Sequence, residues 1–136
     1  MSKHCKDRCI ICGKYLHYGH KTEYCGICLK AKQDKDKIQL WLISGDTGCS
    51  VQTTLRNCIR DYILKAQNYR CAICRIPATW ENKPLQFILD HIDGNATNNK
   101  VTNLRLICPN CDSQLPTYKS RNKNSMRNNR KKLYRT

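Results

Sequence analysis

Acidic residues are scarce in this chain. Ten Asp and Glu stand against 25 Lys and Arg, which leaves a formal charge of +15. A surface this basic repels cationic partners and attracts polyanions, which points to nucleic acid. Long apolar runs are missing as well. The N-terminus reads MSKHCKDRC, and no later stretch is apolar enough for a signal peptide or a membrane span. The expectation is therefore a cytoplasmic protein in a reducing compartment, without a membrane partner. Chain length is also short: 136 residues make one or two small domains. So small a core calls for staples. What the chain does have is cysteine, 11 in all. In a reducing compartment, paired cysteines read as metal ligands rather than disulfides.

Residues 1–36 form the first expected unit. Cys9 and Cys12 make one C-x2-C pair, and Cys25 and Cys28 make a second, with 12 residues between the pairs. Four thiolates on two short knuckles suit tetrahedral Zn²⁺ in a zinc-ribbon-like arrangement, and such a unit folds only with its metal. His4 and Cys5 lie nearby, but the paired spacing favours the four named. The loop between the pairs holds Tyr15, His17, Tyr18 and His20 among lysines. Two readings stand for it: the loop touches nucleic acid, or Tyr15 and Tyr18 cover the knuckles.

Residues 37–66 are expected to be a linker followed by an amphipathic helix. The charged run Lys30–Lys37 reads as linker. Trp41 and Leu42 precede a Gly45/Gly48 turn, and Ser50 is a good helix cap. After it Val51, Leu55, Cys58, Ile59, Tyr62 and Ile63 recur at helical spacing, which predicts a helix over 51–66. Arg56 and Arg60 stand four apart, away from that stripe. They face either DNA or solvent. Cys49 and Cys58 have no spaced partner and read as ordinary thiols.

Residues 67–122 carry the chemistry. Cys71 and Cys74 (CAIC) pair with Cys108 and Cys111 (CPNC), four further thiolates that close a structural Zn²⁺ shell and leave no open position for water. Between them run Leu85–Leu89, strand-like and ending on Asp90–His91, an asparagine-rich loop from Asp93-Gly94-Asn95, and a returning strand over Val101–Ile107. Pro109 then opens a short helix that holds Asp112. Hydrolysis of a phosphodiester at neutral pH needs an activated water and positive charge on the phosphate. A neutral imidazole can take the proton. A hard divalent ion, held by oxygens, can supply the charge. His91 is the candidate base, and Asp90 and Asp112 are candidate ligands for Mg²⁺ or Mn²⁺. Adjacent strand residues point to opposite faces, so Asp90 and His91 can share a site only where the strand bends or ends.

The stretch DHIDGNATNNKVTNLRLICPNCD, with Asn103 12 residues after His91 and Asp112 9 after Asn103, resembles the HNH endonuclease family. The similarity is to its zinc-stapled kind, found in many bacteriophages. It covers about Trp41 to Asn122, and the trailing PTYKSRN belongs to it. The resemblance implies a small α+β, zinc-stabilised fold, a ββα-metal HNH domain preceded by the zinc-ribbon-like unit and the amphipathic helix. It implies that Asp90 is the first ligand of the catalytic ion and His91 the general base. It implies too that Asn103 holds the hairpin loop and orients that base. It also implies cleavage leaving a 5′-phosphate and a 3′-hydroxyl, often by nicking. Asp112 stands where the family has His, or Asn in some homing enzymes. Its carboxylate either keeps a working site with altered metal choice or disables it.

The tail over 123–136 continues a basic run from Lys119, in which eight residues are Lys or Arg and none is acidic. Lys119, Arg121, Lys123, Arg127 and Arg130 are expected to contact phosphates in a salt-dependent way. The reading is a DNA endonuclease, more a monomer than an oligomer, acting in a bacterial cytoplasm with two structural zinc ions and one catalytic cation. A catalytically silent DNA-binding protein on the same scaffold is the alternative. A zinc-ribbon RNA-binding protein fits the charge but leaves the His91–Asn103 spacing unexplained.

Overall fold

The computed structural model describes residues 8–17, 19–47 and 57–125. His4, Cys5, Tyr18, Gly48, Cys49, Ser50, Val51, Leu55, Arg56, Arg127 and Arg130 lie outside them. The chain folds as a small mixed α/β protein. Helix α1 spans Gly26–Ser44 and helix α2 Asn57–Ala66, and two antiparallel two-stranded sheets follow. The first sheet pairs β1 (Thr79–Trp80) with β2 (Lys83–Pro84). The second pairs β3 (Ile88–His91) with β4 (Leu104–Ile107), and α3 (Pro109–Gln114) comes next.

The linker reading of Lys30–Lys37 is corrected by α1, which runs straight through that segment and across residue 36. The run has little apolar periodicity, but its charges sit one helical turn apart. Lys30 binds Asp34 at 3.0 Å and Lys32 binds Asp36 at 2.8 Å. Such exposed pairs are worth only about 0.2–0.5 kcal/mol each, so the ends matter more. Cys25 and Cys28 hold the N-terminal turn. At the other end Gly45, at φ 72°, donates its N–H to the Trp41 carbonyl, and the Trp41 side chain is fully buried.

The core lies where α2 meets the β3–β4 hairpin. Ile59 and Ile63, four residues apart on α2, pack with Trp41, Phe87, Leu104, Leu106, Ile107 and the buried cysteines Cys71, Cys108 and Cys111. Tyr62 meets the Trp41 ring edge-on, with centroids 5.7 Å apart. Gln67 imitates a neighbouring strand along β4: its Nε2 donates to the Leu106 carbonyl at 2.8 Å, and its Oε1 accepts from the Leu106 N–H at 2.8 Å. The Leu106 carbonyl also accepts from the Ala72 N–H at 3.0 Å, so both backbone groups of Leu106 are satisfied on this edge.

The expected strand over Leu85–Leu89 is shifted toward its C-terminal end. Leu85 donates its N–H back to Ala78, and the Phe87 carbonyl is taken by Arg60, so pairing with β4 begins only at Ile88. The returning strand is likewise shorter than Val101–Ile107. Val101–Asn103 forms a tight 3₁₀ turn that points Asn103 inward, and β4 starts at Leu104.

Candidate active site and metal clusters

Both cysteine quartets assemble. The ligand atoms of Cys9, Cys12, Cys25 and Cys28 lie within 4.8 Å of one another, and so do those of Cys71, Cys74, Cys108 and Cys111. Cys12 and Cys25 sulfurs are 3.6 Å apart, as are those of Cys74 and Cys108. A Zn²⁺ tetrahedron with Zn–S bonds of about 2.3 Å has edges of about 3.8 Å, so both quartets suit structural zinc. Among the described residues these are the groups of three or more potential ligands this close. Asp90, His91 and Asp112 do not form such a group.

The thiols of each quartet sit in unequal environments. Burial pushes Cys71 up, but the backbone N–H groups of Cys108, Cys74 and Ile73 outweigh it and bring the thiol down to about 6. Burial and the neighbouring Cys74 push Cys111 up to about 12. In the first quartet backbone N–H groups, that of Cys12 foremost, lower Cys9 to about 6, while Cys25 and Cys12 raise Cys28 to about 12. Within each quartet the backbone hydrogen bonds thus lower one thiol strongly while burial and neighbouring sulfurs raise another.

The β3–β4 hairpin positions the oxygen-bearing residues. Asp90 and His91 are the last two residues of β3, opposite Arg105 and Leu104. The strand stops there, because the Gly94 N–H turns back onto the His91 carbonyl at 2.7 Å. The Asp90 carboxylate is 8% exposed and accepts from Arg105 Nε at 2.7 Å. Asp112 lies in the first turn of α3, whose preceding residue Cys108 accepts the Cys111 N–H on its sulfur. Burial raises the Asp112 carboxyl above its ordinary range, the Asp90 charge raises it further, and Lys119 pulls it back. The two carboxylates are thus electrostatic neighbours, with Arg105 and Lys119 as their cations.

Asn103 is buried and ties the loop between the strands. Its Nδ2 donates to Asp93 Oδ1 at 2.9 Å and to the Asn98 carbonyl at 2.8 Å, and its Oδ1 accepts from the Asp93 N–H. Hydrogen bonds from Asn98, Asn95 and Asn103 hold the Asp93 carboxyl below its usual range. The side chain that meets His91 is Asn99, whose Oδ1 lies 2.8 Å from Nε2. Asn99 reads from sequence as a turn residue, and only the closed loop brings it to the imidazole. Arg105 also escapes a reading by residue type, although pairing the hairpin in register puts it opposite Asp90. From the C-terminal side, Asn122 Nδ2 donates to the Gly94 carbonyl and Asn124 Nδ2 to the Asp93 carbonyl.

The expected nucleic-acid contacts are dispersed. Arg60 is half-buried and donates to the Phe87 carbonyl at 2.9 Å, so it braces the core rather than standing free on the helix. Lys119 and Arg121 are exposed in a short 3₁₀ turn, both against the Tyr118 ring, and Lys123 is exposed beyond it. Tyr15 is 69% exposed with the Arg8 guanidinium on its ring, so it does not cover the zinc knuckle. Among the described residues no helix is long and apolar enough to cross a membrane.

The H-N-H endonuclease F-TflIV of Escherichia phage T5 is 41% identical to this chain over 54 residues, which are 40% of this chain and 23% of that protein. The chain fits the zinc-stapled HNH type of phages. The likeness to an HNH endonuclease and the two four-cysteine clusters carry this together. The HNH match spans less than a quarter of the phage protein's length. No family model matches the chain, and no solved structure matches it significantly.

Proposed function

We propose that this chain is a divalent-metal-dependent HNH endonuclease that hydrolyses DNA phosphodiester bonds. The observation that carries this reading is the end of β3. There His91, hydrogen-bonded through one ring nitrogen, follows directly on Asp90, whose charge is felt by Asp112. The β3–β4 hairpin followed by α3 supports a ββα-metal arrangement. Asp90 and Asp112 would hold Mg²⁺ or Mn²⁺, which supplies positive charge for the phosphate and the leaving oxygen. The donor set fits such a hard cation, since both side chains offer oxygens.

His91 accepts the proton of the attacking water, Asn103 keeps the loop closed, and the quartet of Cys71, Cys74, Cys108 and Cys111 ties hairpin to helix. Lys119, Arg121 and Lys123, with Arg127, Arg130 and Arg56, track the phosphate backbone, and Arg60 contributes through the core. The protein would act as a monomer in the cytoplasm of a bacterial host. The partial match to an HNH endonuclease supports DNA as its partner. The Arg105–Asp90 pair favours a second reading, a DNA-binding protein without cleavage, because a guanidinium occupies the carboxylate a cation would need.

Supercoiled plasmid incubated with Mg²⁺ or Mn²⁺ decides between them. Nicked or linear product from the parent protein is expected. His91→Ala should lose about 10²–10⁴-fold in rate with zinc content and DNA affinity kept. A well-folded His91→Ala protein that still cuts would remove His91 as the base. Tight DNA binding with no cleavage under any metal would establish the second reading.

A further inference from the structure

We propose that Asn99 is the residue that positions His91, and that Trp41 of α1 sets where Asn99 stands. The proposal rests on the nuclease reading above and deepens it. An amide oxygen only accepts hydrogen bonds. With Asn99 Oδ1 at 2.8 Å from His91 Nε2, that nitrogen carries the hydrogen. In the neutral ring Nδ1 is then the bare nitrogen, the one able to take a proton. Which nitrogen is free is decided by the partner of the other.

Asn99 lies in the loop between β3 and β4, and a second bond fixes its backbone. Trp41 Nε1 donates to the Asn99 carbonyl at 2.6 Å, across 58 residues of sequence. Trp41 is fully buried, its ring is held edge-on by Tyr62, and Gly45 ends its helix one turn later. The far end of that helix begins at Cys25 and Cys28 of the first quartet. Helix α1 thus carries position from the N-terminal metal cluster to the imidazole. Asn103 acts elsewhere. Its bonds go to Asp93 and the Asn98 carbonyl, which close the loop without reaching the ring.

The test uses the full zinc-loaded chain and three variants. Asn99→Ala removes the acceptor, Asn99→Asp keeps an acceptor oxygen, and Trp41→Phe keeps an aromatic ring but removes the N–H. Nitrogen-15 NMR of the His91 ring, assigned with His91→Gln, reads the tautomer without any need for cleavage. The parent and Asn99→Asp should show the hydrogen on Nε2, and Asn99→Ala should show a mixture. In single-turnover plasmid cleavage Asn99→Ala should lose about ten- to a hundredfold in rate with DNA affinity unchanged, since misplacing a catalytic group costs on that order. Asn99→Asp should recover most of that loss, and Trp41→Phe should fall between. An unchanged His91 tautomer in Asn99→Ala, or Asn99→Asp behaving like Asn99→Ala, would overturn the proposal. If the tautomer shifts as expected while the parent fails to cut DNA with any metal supplied, the positioning role stands and the nuclease reading fails.

Discussion

Replacing Arg105 with Met tests the balance of charge at the centre. Met keeps much of the stem of Arg105 but offers no donor, so Asp90 is left without its 2.7 Å partner. Removing one member of a buried pair costs about 3–5 kcal/mol. Here the Asp90 side chain is 8% exposed but that of Arg105 is 26% exposed. Water can therefore reach the guanidinium end, and the expected loss drops to about 1–2 kcal/mol. The same free energy should reappear in cation binding. In the parent a cation must displace Arg105 from Asp90, whereas in Arg105→Met the carboxylate is already vacant. That difference corresponds to about 5- to 30-fold tighter binding. Urea unfolding of the zinc-loaded protein without Mg²⁺ or Mn²⁺ measures the first quantity, and calorimetric titration with either ion measures the second. The stability gap should close when the ion is saturating, because Asp90 then has a partner in both proteins. A variant that unfolds at the parent's urea concentration and binds the ion no more tightly would refute the reasoning.

Zinc loading of the second quartet should release at least two protons near pH 7, because Cys111 sits at about 12 and burial keeps Cys108 raised. Calorimetry in buffers of different ionisation heat counts those protons, and zinc affinity should rise with pH. Asp112 is held above its ordinary range first by burial and then by Asp90. The fold therefore prefers its neutral form, and the stability it contributes is lost as pH rises through its raised folded value. Without a divalent ion, Asp112→Asn should be more stable than the parent at pH 7, with an advantage that shrinks on acidification; urea melts across that range check it. Gly94 sits at φ +72°, where a Cβ would lie 2.6 Å from Asn122 Oδ1. Gly94→Ala should cost about 1–3 kcal/mol, read as a lower thermal midpoint.

Much of this molecule is local, and local features are legible in sequence. A C-x2-C pair is one tight knuckle, so the two quartets could be grouped before any fold was known, and both assemble. Helix α2 announces itself through Ile59 and Ile63, four residues apart, and it ends at Ala66, where the spacing predicts. Helix α1 was hidden because its charges look like linker composition. Its stability comes from its ends, the cysteines at one and buried Trp41 at the other, and Trp41 needs the rest of the core to be buried. The partners at the candidate centre are the least local of all. Arg105 meets Asp90 through strand register, and Asn99 meets His91 through a closed loop. Trp41 reaches Asn99 across 58 residues. Residue type and spacing by themselves determined which side chains are candidates, because a thiolate, a carboxylate and an imidazole bring their chemistry with them. Only the tertiary structure decided which group each one faces, because hydrogen bonds depend on atoms within about 3 Å, and that separation is set by packing.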